Sequence, residues 1–238
     1  MVSLLLAAAL AGAVPSNGPS VLVFSKTAEY RHEAIPDGID ALRRLGERVG
    51  WQVEATEDAE RFSDEGLAEF DVVVFLMTTG DVLSREQEAA FERFIRKGNG
   101  YVGIHAAADT EYEWAWYGEL VGAYFDSHPE IQTASYDVED RSHPSTAGLP
   151  TRWRRVDEHY NFRSNPRQRV NVVLSLDESS YDVGDGAMGD HPAAWHHRHD
   201  GGRAFYTALG HTRQAYRDPL FTRHLEGAIT WASGSGEP

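Results

Sequence analysis

Short apolar runs alternate with amphipathic segments along the first half of the chain. Residues 21–25, 71–77 and 101–107 are apolar along most of their length, which is typical of strands buried on both faces. Residues 51–56 form a further strand candidate. Strands that alternate with helical segments predict a mostly parallel sheet covered by helices on both sides.

Two of the segments between these strands carry clear helix signals. Apolar residues recur at helical spacing from Ile35 to Val49, and Gly50 is a natural stop. Ser84 and Gln87 match a capping box, in which each side chain accepts from the other residue's free backbone amide. We therefore expect helices over these two segments.

The pattern changes after Phe125. Strands are predicted at residues 131–138, 170–176, 193–197 and 203–209, followed by a closing helix over 219–231. We interpret this half as completing the same sheet with antiparallel strands at one edge. The expected architecture is one α/β domain over residues 20–233, with a flexible tail at 234–238.

The first 14 residues are apolar but too short to span a bilayer, which needs roughly 20 apolar residues. They resemble the apolar region of a signal peptide, with Ala11, Gly12 and Ala13 as a small-residue cleavage site, although no basic residue precedes Lys26. Residues 1–19 are thus expected to be a leader or linker. The protein is expected to be exported, extracellular or in the cell envelope, if the leader is a signal peptide, and cytoplasmic otherwise.

The composition excludes several classes of ligand and of chemical site. The chain has 37 acidic and 22 basic residues, a formal net charge of −15, which argues against binding nucleic acid. It has no cysteine, so disulfides, thiolate metal sites and cysteine nucleophiles are excluded. A G-x-G-x-x-G match at residues 184–189 does not join a strand to a helix, and no nucleotide cofactor is expected. Any metal must be held by carboxylates or by the 11 histidines.

His105 is the strongest candidate for a catalytic or ligand-binding residue. It lies between small residues at the end of the fourth predicted strand, where ligands bind in open parallel sheets. A lone histidine there is also consistent with a core residue that donates to a backbone carbonyl, and both interpretations remain open. We expect the first and fourth strands to be neighbours, so that His32 and His105 meet across the crevice.

Other titratable groups lie at the ends of predicted elements, where ligands and general bases commonly sit. They are His128, Glu158 and His211. Asp109 follows His105, and Tyr112 lies in an aromatic cluster after it, a combination that suits a sugar site or simple core packing. His143 and His224 are predicted at the surface.

Several motifs together resemble the ThuA-like family, named for trehalose utilisation, over residues 21–231. They are YRHEAIPDGI, GYVGIHAAADTEYEW, LVGAYFDSHPE, DEHYNF, VVLSLDESSY, GDHPAAW and GGRAFYTALGHT. The resemblance implies a flavodoxin-like three-layer sandwich similar to class I glutamine amidotransferases. Those enzymes hold a catalytic cysteine at the corner that His105 occupies here, so glutamine hydrolysis by that route is excluded.

The resemblance also implies a role in carbohydrate catabolism, with keto-sugars such as 3-keto-glycosides as the expected substrates. The implied function is a lyase, isomerase or hydrolase that removes a proton next to the ketone, and the alternative is a non-catalytic carbohydrate-binding protein. A divalent metal, Zn²⁺ or Mn²⁺, is expected on His32, His105, His128 and His211. The expected catalytic residues are Glu158, which can instead be a ligand, His105 and Asp109. The expected substrate-binding residues are Tyr30, Arg31, Tyr112 and Tyr160.

Overall fold

The computed structural model describes residues 18–235. The first strand begins at Ser20 and the last helix ends at Ala232. The predicted signal peptide lies outside the described residues, as do the last three residues of the predicted tail.

The first half of the chain forms the parallel part of a nine-stranded sheet, in the order β2-β1-β3-β4. These strands are β1 (Ser20–Phe24), β2 (Gln52–Thr56), β3 (Val72–Leu76) and β4 (Gly100–Ile104). The parallel sheet is confirmed, but the expectation that β1 and β4 are neighbours is wrong, because β3 lies between them. Apolar runs identify buried strands without specifying their order across the sheet.

The second half extends this sheet in the order β4-β11-β10-β9-β6-β7. Its strands are β5 (Phe125–Ser127), β6 (Gln132–Val138), β7 (Arg152–Asp157), β8 (Asn161–Phe162), β9 (Asn171–Asp177), β10 (Pro192–His199) and β11 (Gly202–Thr207). β11 lies parallel to β4, and each following pair is antiparallel, as expected. β5 and β8 pair separately in a two-stranded sheet that the sequence pattern did not predict.

Helices cover both faces of the large sheet. They are α1 (Ile35–Val49), α2 (Asp64–Leu67), α3 (Arg85–Arg96), α4 (Ala115–Val121) and α5 (Pro219–Ala232). Alternate residues of each parallel strand enter opposite cores: Val21 and Val23 pack with α1 and α5, whereas Leu22 and Phe24 pack with α2, α3 and α4. The capping box at the start of α3 is present. The chain is therefore a three-layer α/β sandwich.

Two histidines predicted at the surface are buried instead. His224 on α5 is 0% exposed, and its Nδ1–H donates to the Ser145 carbonyl oxygen at 2.9 Å. His143 is buried as well, with its Nδ1 2.8 Å from the Ser145 hydroxyl. Hydrogen bonds within the fold reach both nitrogens of His224 and the Nδ1 of His143, and local sequence does not reveal such partners.

No helix between residues 18 and 235 combines the length and the apolar character needed to cross a bilayer.

Candidate metal centre

Four strands that run in the same direction deliver polar side chains to one edge of the sheet. His32 follows β1, His105 follows β4, Glu158 follows β7 and His211 follows β11. β1, β4 and β11 are parallel. Four successive antiparallel pairings separate β11 from β7, so β7 runs in the same direction as β11. All four side chains therefore project from carboxyl ends of strands, where open α/β sheets bind ligands.

His105 sits at a strained corner between β4 and a single turn of 3-10 helix. Its φ is +52°, which is unusual for a residue other than glycine, and its side chain is fully buried. Its Nδ1–H donates to the Ala208 carbonyl oxygen at 2.7 Å. This bond turns Nε2 toward His211 and Glu158, where it can form hydrogen bonds or bind a cation. The interpretation as a residue that donates to a backbone carbonyl is therefore confirmed for Nδ1, and a functional role for Nε2 stays a prediction.

Three polar atoms form a compact triangle beside this corner. His105 Nε2 lies 3.1 Å from His211 Nδ1 and 3.3 Å from Glu158 Oε2. His211 Nδ1 lies 3.1 Å from the same carboxylate oxygen. Tetrahedral ligands at about 2.0–2.1 Å from a zinc ion are separated by roughly 3.3 Å, so the triangle matches one face of such a site.

His32 adds a fourth ligand atom. One atom from each of His32, His105, Glu158 and His211 lies within 4.8 Å of all the others. The His32 ring is buried edge-on to the rings of His105 and His211, with centroids 5.0 and 5.1 Å away. Its Nδ1 is buried with no hydrogen-bond partner among the described residues. A buried polar atom without a partner is costly, and a bound group would relieve that cost. We call these four residues the His3Glu cluster.

Two members of the His3Glu cluster, His32 and Glu158, are held in the protonation states that bind cations. Burial, together with the nearby His105 and His211 rings, lowers the pKa of His32 to about 3, so its imidazole is neutral. Burial raises the pKa of Glu158, but hydrogen bonds from His105 and His211 outweigh burial and hold that pKa well below its usual range. Burial lowers the pKa of His211, but its hydrogen bond to Glu158 leaves the pKa above the usual value. A neutral imidazole beside an ionised carboxylate is a suitable donor set for Zn²⁺ or Mn²⁺.

Asp157, which the sequence reasoning missed, holds two members of the cluster in place. Its carboxylate accepts from the backbone amides of Gly210 and His211, each at 3.0 Å, and from that of Glu158 at 3.1 Å. Its charge is paired with the buried guanidinium of Arg155 at 3.0 Å. β7 is four places from β11 in the sheet, and this single side chain ties the two strand ends together.

The two-stranded sheet of β5 and β8 forms one wall of the site. The Tyr160 ring is 3% exposed and packs on the His105 ring, with centroids 4.2 Å apart. Its position supports the imidazole and leaves little surface for the substrate contact predicted from sequence. His128, predicted as a metal ligand, lies at the rim with its side chain 43% exposed and its Nδ1 3.4 Å from Glu158 Oε1. It is outside the group of four that converges most tightly.

The remaining predicted residues are exposed or half-buried. Tyr30 is 62% exposed, and its ring contacts the edge of His32 at a centroid distance of 4.8 Å. Arg31 forms an ion pair with Glu57 at 2.6 Å. The Tyr112 hydroxyl donates to Asp109 Oδ1 at 2.6 Å, and burial raises the pKa of Asp109 despite this bond. Asp109 and Tyr112 thus form a coupled pair at the rim.

Glu111, also missed by the sequence reasoning, joins the loops that follow β3 and β4. It has a φ of +55° and is buried, and its Oε1 accepts from the backbone amides of Val82 and Leu83, each at 2.9 Å. Burial raises its pKa to about 7, although both backbone hydrogen bonds act in the opposite direction. The carboxyl group is therefore partly protonated at neutral pH.

Glu111 should make stability depend on pH. Because its folded pKa of about 7 exceeds its ordinary value of 4.5, its contribution to stability is fully present below pH 4.5 and is lost as the pH rises through 7. Glu111→Gln keeps a carbonyl acceptor for both amides but cannot ionise. From pH 5 to pH 8, we expect the variant to gain on the order of 2 kcal/mol relative to the wild type in urea titrations. A difference that stays constant with pH would contradict this assignment.

Comparisons with known proteins agree with this architecture. The family model described as "ThuA: Trehalose utilisation" matches residues 20–232. A ThuA-like protein from Bacteroides uniformis has 25% sequence identity and a TM-score of 0.76, with 90% of each chain covered. One from Parabacteroides merdae has 19% identity and the same TM-score, with 91% of this chain and 90% of that chain covered. A search of curated proteins found no match.

The PurLQS structure from Thermotoga maritima has a TM-score of 0.55 at 12% identity, with 90% of this chain and 98% of that chain covered. At this identity it shows the fold alone, which is similar to that of glutamine amidotransferases. The family match spans nearly all of the described residues, from the start of β1 to the end of α5. The chain therefore belongs to the ThuA family of trehalose utilisation, which implies a role in carbohydrate utilisation.

Proposed function

We propose that the protein is a metal-dependent enzyme that removes a proton next to the ketone of a 3-keto-glycoside. The observation that carries this proposal is the convergence of His32, His105, Glu158 and His211, from four separate loops, within 4.8 Å of one another. The buried, unpartnered Nδ1 of His32 supports a bound group at this point. Family membership supports a carbohydrate as the substrate.

The cluster fits a divalent cation held by the three imidazoles and the Glu158 carboxylate. If bound there, such a cation would polarise the carbonyl oxygen of the sugar and so make the neighbouring C–H easier to deprotonate. We assign Glu158 to ligand binding because hydrogen bonds from two histidines hold its pKa low, which makes it a weak base. The Asp157 carboxylate keeps the backbone of His211 in place during this chemistry.

Asp109 is the better general base. Burial raises its pKa, and a base whose pKa is closer to the working pH accepts a proton more readily. The Tyr112 hydroxyl, which donates to its Oδ1 at 2.6 Å, orients the carboxylate. Once the proton has moved to Asp109, the enolate either regains a proton at another atom or expels the glycosidic oxygen, which takes up the proton from Asp109. Water that adds to the resulting double bond completes the net hydrolysis. Isomerisation, elimination and net hydrolysis therefore share this first step.

Removing the proposed base should lower turnover without changing metal binding. For Asp109→Asn we expect the turnover of a 3-keto-glycoside to fall by about 10²–10⁴-fold, with unchanged metal content, because the amide cannot accept the proton. The measurement is proton–deuterium exchange at the carbon next to the ketone, followed by NMR in D₂O, together with product formation.

Tyr112→Phe is the matched control, since it keeps the carboxylate and removes only the hydrogen bond that orients it. It should lose less activity than Asp109→Asn. Wild-type turnover by Asp109→Asn would rule out Asp109 as the base. Sugar binding by the wild type with neither exchange nor product would favour the non-catalytic carbohydrate-binding protein.

A further inference from the structure

A cavity lies next to the hydrogen-bonded pair of Asp109 and Tyr112, and none of the four His3Glu residues lines it. It has a volume of about 580 Å³ and lies between the loop after β3, the loop after β4 and Glu29. Pockets that hold small ligands are typically about 300–1,000 Å³, so this space is large enough for a sugar ring. The mechanism proposed above uses neither the cavity nor most of its lining.

The cavity and the candidate centre share a wall. Tyr112 lines the cavity, and its hydroxyl donates to Asp109 at 2.6 Å. Gly80 also lines it, and its backbone amide donates to the Asp109 carbonyl oxygen at 2.9 Å. Glu29 lines the cavity next to Tyr30, whose ring contacts His32. A molecule with one end at the His3Glu cluster can therefore extend past Asp109 into this space.

The chemistry of the lining restricts what can enter. Five carboxyl groups face the cavity, from Glu29, Asp81, Glu88, Glu111 and Glu113. Arg85 is the one cation among the described lining residues, and Leu83 and Trp114 add apolar surface. Carboxylates accept hydrogen bonds from hydroxyl groups, and an excess of negative charge opposes a phosphate or a second carboxylate.

We propose that this cavity binds the second, non-reacting ring of a two-ring glycoside and that its charge excludes phosphorylated or uronic second rings. The proposal rests on the proposed function, because the reacting ring is placed at the His3Glu cluster. It makes the cavity the determinant of substrate length and charge. The reacting carbon stays beside Asp109, and the second ring lies between the two loops.

The experiment compares a 3-keto-disaccharide with its one-ring methyl 3-keto-glucoside. Glu88 on α3 lines the cavity and is partly buried, so Glu88→Trp should fill the space. We expect the wild type to favour the two-ring substrate at least tenfold in kcat/KM. Glu88→Trp should reduce that preference to about one and leave the one-ring rate unchanged. Glu86→Trp, on the same helix but outside the lining, should keep the preference.

Glu88→Gln tests charge without filling the space. It should raise kcat/KM about tenfold for the disaccharide that carries a phosphate on its second ring, and leave the neutral substrate nearly unchanged. Two results would overturn the proposed subsite even in an active enzyme. One is a preference for two rings that persists in Glu88→Trp, and the other is a kcat/KM for the phosphorylated substrate that does not rise in Glu88→Gln.

Calorimetry separates this result from a failure of the proposed function. Trehalose should bind to the wild type and to Glu86→Trp alike, and should not bind to Glu88→Trp. That result supports the subsite even if no keto-sugar is turned over. Equal trehalose binding by Glu88→Trp and the wild type would overturn the subsite, and so would the absence of disaccharide binding to the wild type.

Discussion

His105→Ala should lower the affinity for Zn²⁺ by more than about 100-fold, because loss of a residue that merely supports a ligand already costs about 10–100-fold. The side chain provides one atom of the 3.1–3.3 Å triangle with His211 and Glu158. Without it, the remaining ligands leave one side of the cation open. Competition with a chromophoric chelator measures the change directly.

The loss of zinc affinity should also abolish the rise in thermal stability that zinc produces. A cation that binds only the folded chain stabilises it by about 2.7 kcal/mol at 100 times its Kd, which corresponds to roughly 5–10 °C in Tm. The wild type should show this rise with Zn²⁺ and His105→Ala should not. The matched control is His197→Ala, because His197 is also buried but lies on β10 outside the His3Glu cluster. Equal zinc affinity in the wild type and His105→Ala would remove His105 from the site.

Asp157→Ala should be the most destabilising substitution near the site, at about 3–5 kcal/mol, because it leaves the buried Arg155 guanidinium with only the more distant Asp218 carboxylate, at 3.8 Å. Asp157 is 0% exposed and Arg155 is 6% exposed, so water reaches neither group well. The backbone amides of Gly210, His211 and Glu158 would also lose their acceptor. Urea unfolding of the metal-free protein measures this effect.

Two further variants identify the origin of the effect. Asp137→Ala removes an exposed carboxylate that is paired with Arg152 at 3.4 Å, and it should cost less than about 1 kcal/mol. Asp157→Asn keeps an acceptor but loses the charge, and it should weaken zinc binding by about 10–100-fold, since Asp157 supports the backbone of His211 and Glu158. A cost for Asp157→Ala as small as that for Asp137→Ala would show that the buried pair does not hold the loops together.

Local signals in the sequence were sufficient for much of the fold. The capping box of Ser84 and Gln87 depends on residues three apart, and it is present. His105 was identified from its small neighbours at a strand end, and the structure places it at a corner with a φ of +52°. Each inference uses only the backbone near the residue concerned, which is why sequence patterns can support it.

The predictions that were wrong or missing depend on contacts between residues that are distant in the chain. Asp157 accepts from Gly210 and His211, which lie 53 and 54 positions further along the chain. His224 is buried with a hydrogen bond to the Ser145 carbonyl oxygen, 79 positions away. The position of β3 between β1 and β4 depends on how the strands pair, which apolar runs do not encode. Motifs shared with a family gave the polar positions of the candidate site, but only coordinates show that His32, His105, Glu158 and His211 converge.

The most direct test of the candidate metal centre is an anomalous difference map from crystals of the full chain grown with Zn²⁺. We predict one strong peak about 2.0–2.2 Å from a ligand atom of each of His32, His105, Glu158 and His211. An empty space between these four side chains, with zinc bound at the Asp81, Glu88 and Glu111 carboxylates or elsewhere, would contradict the account.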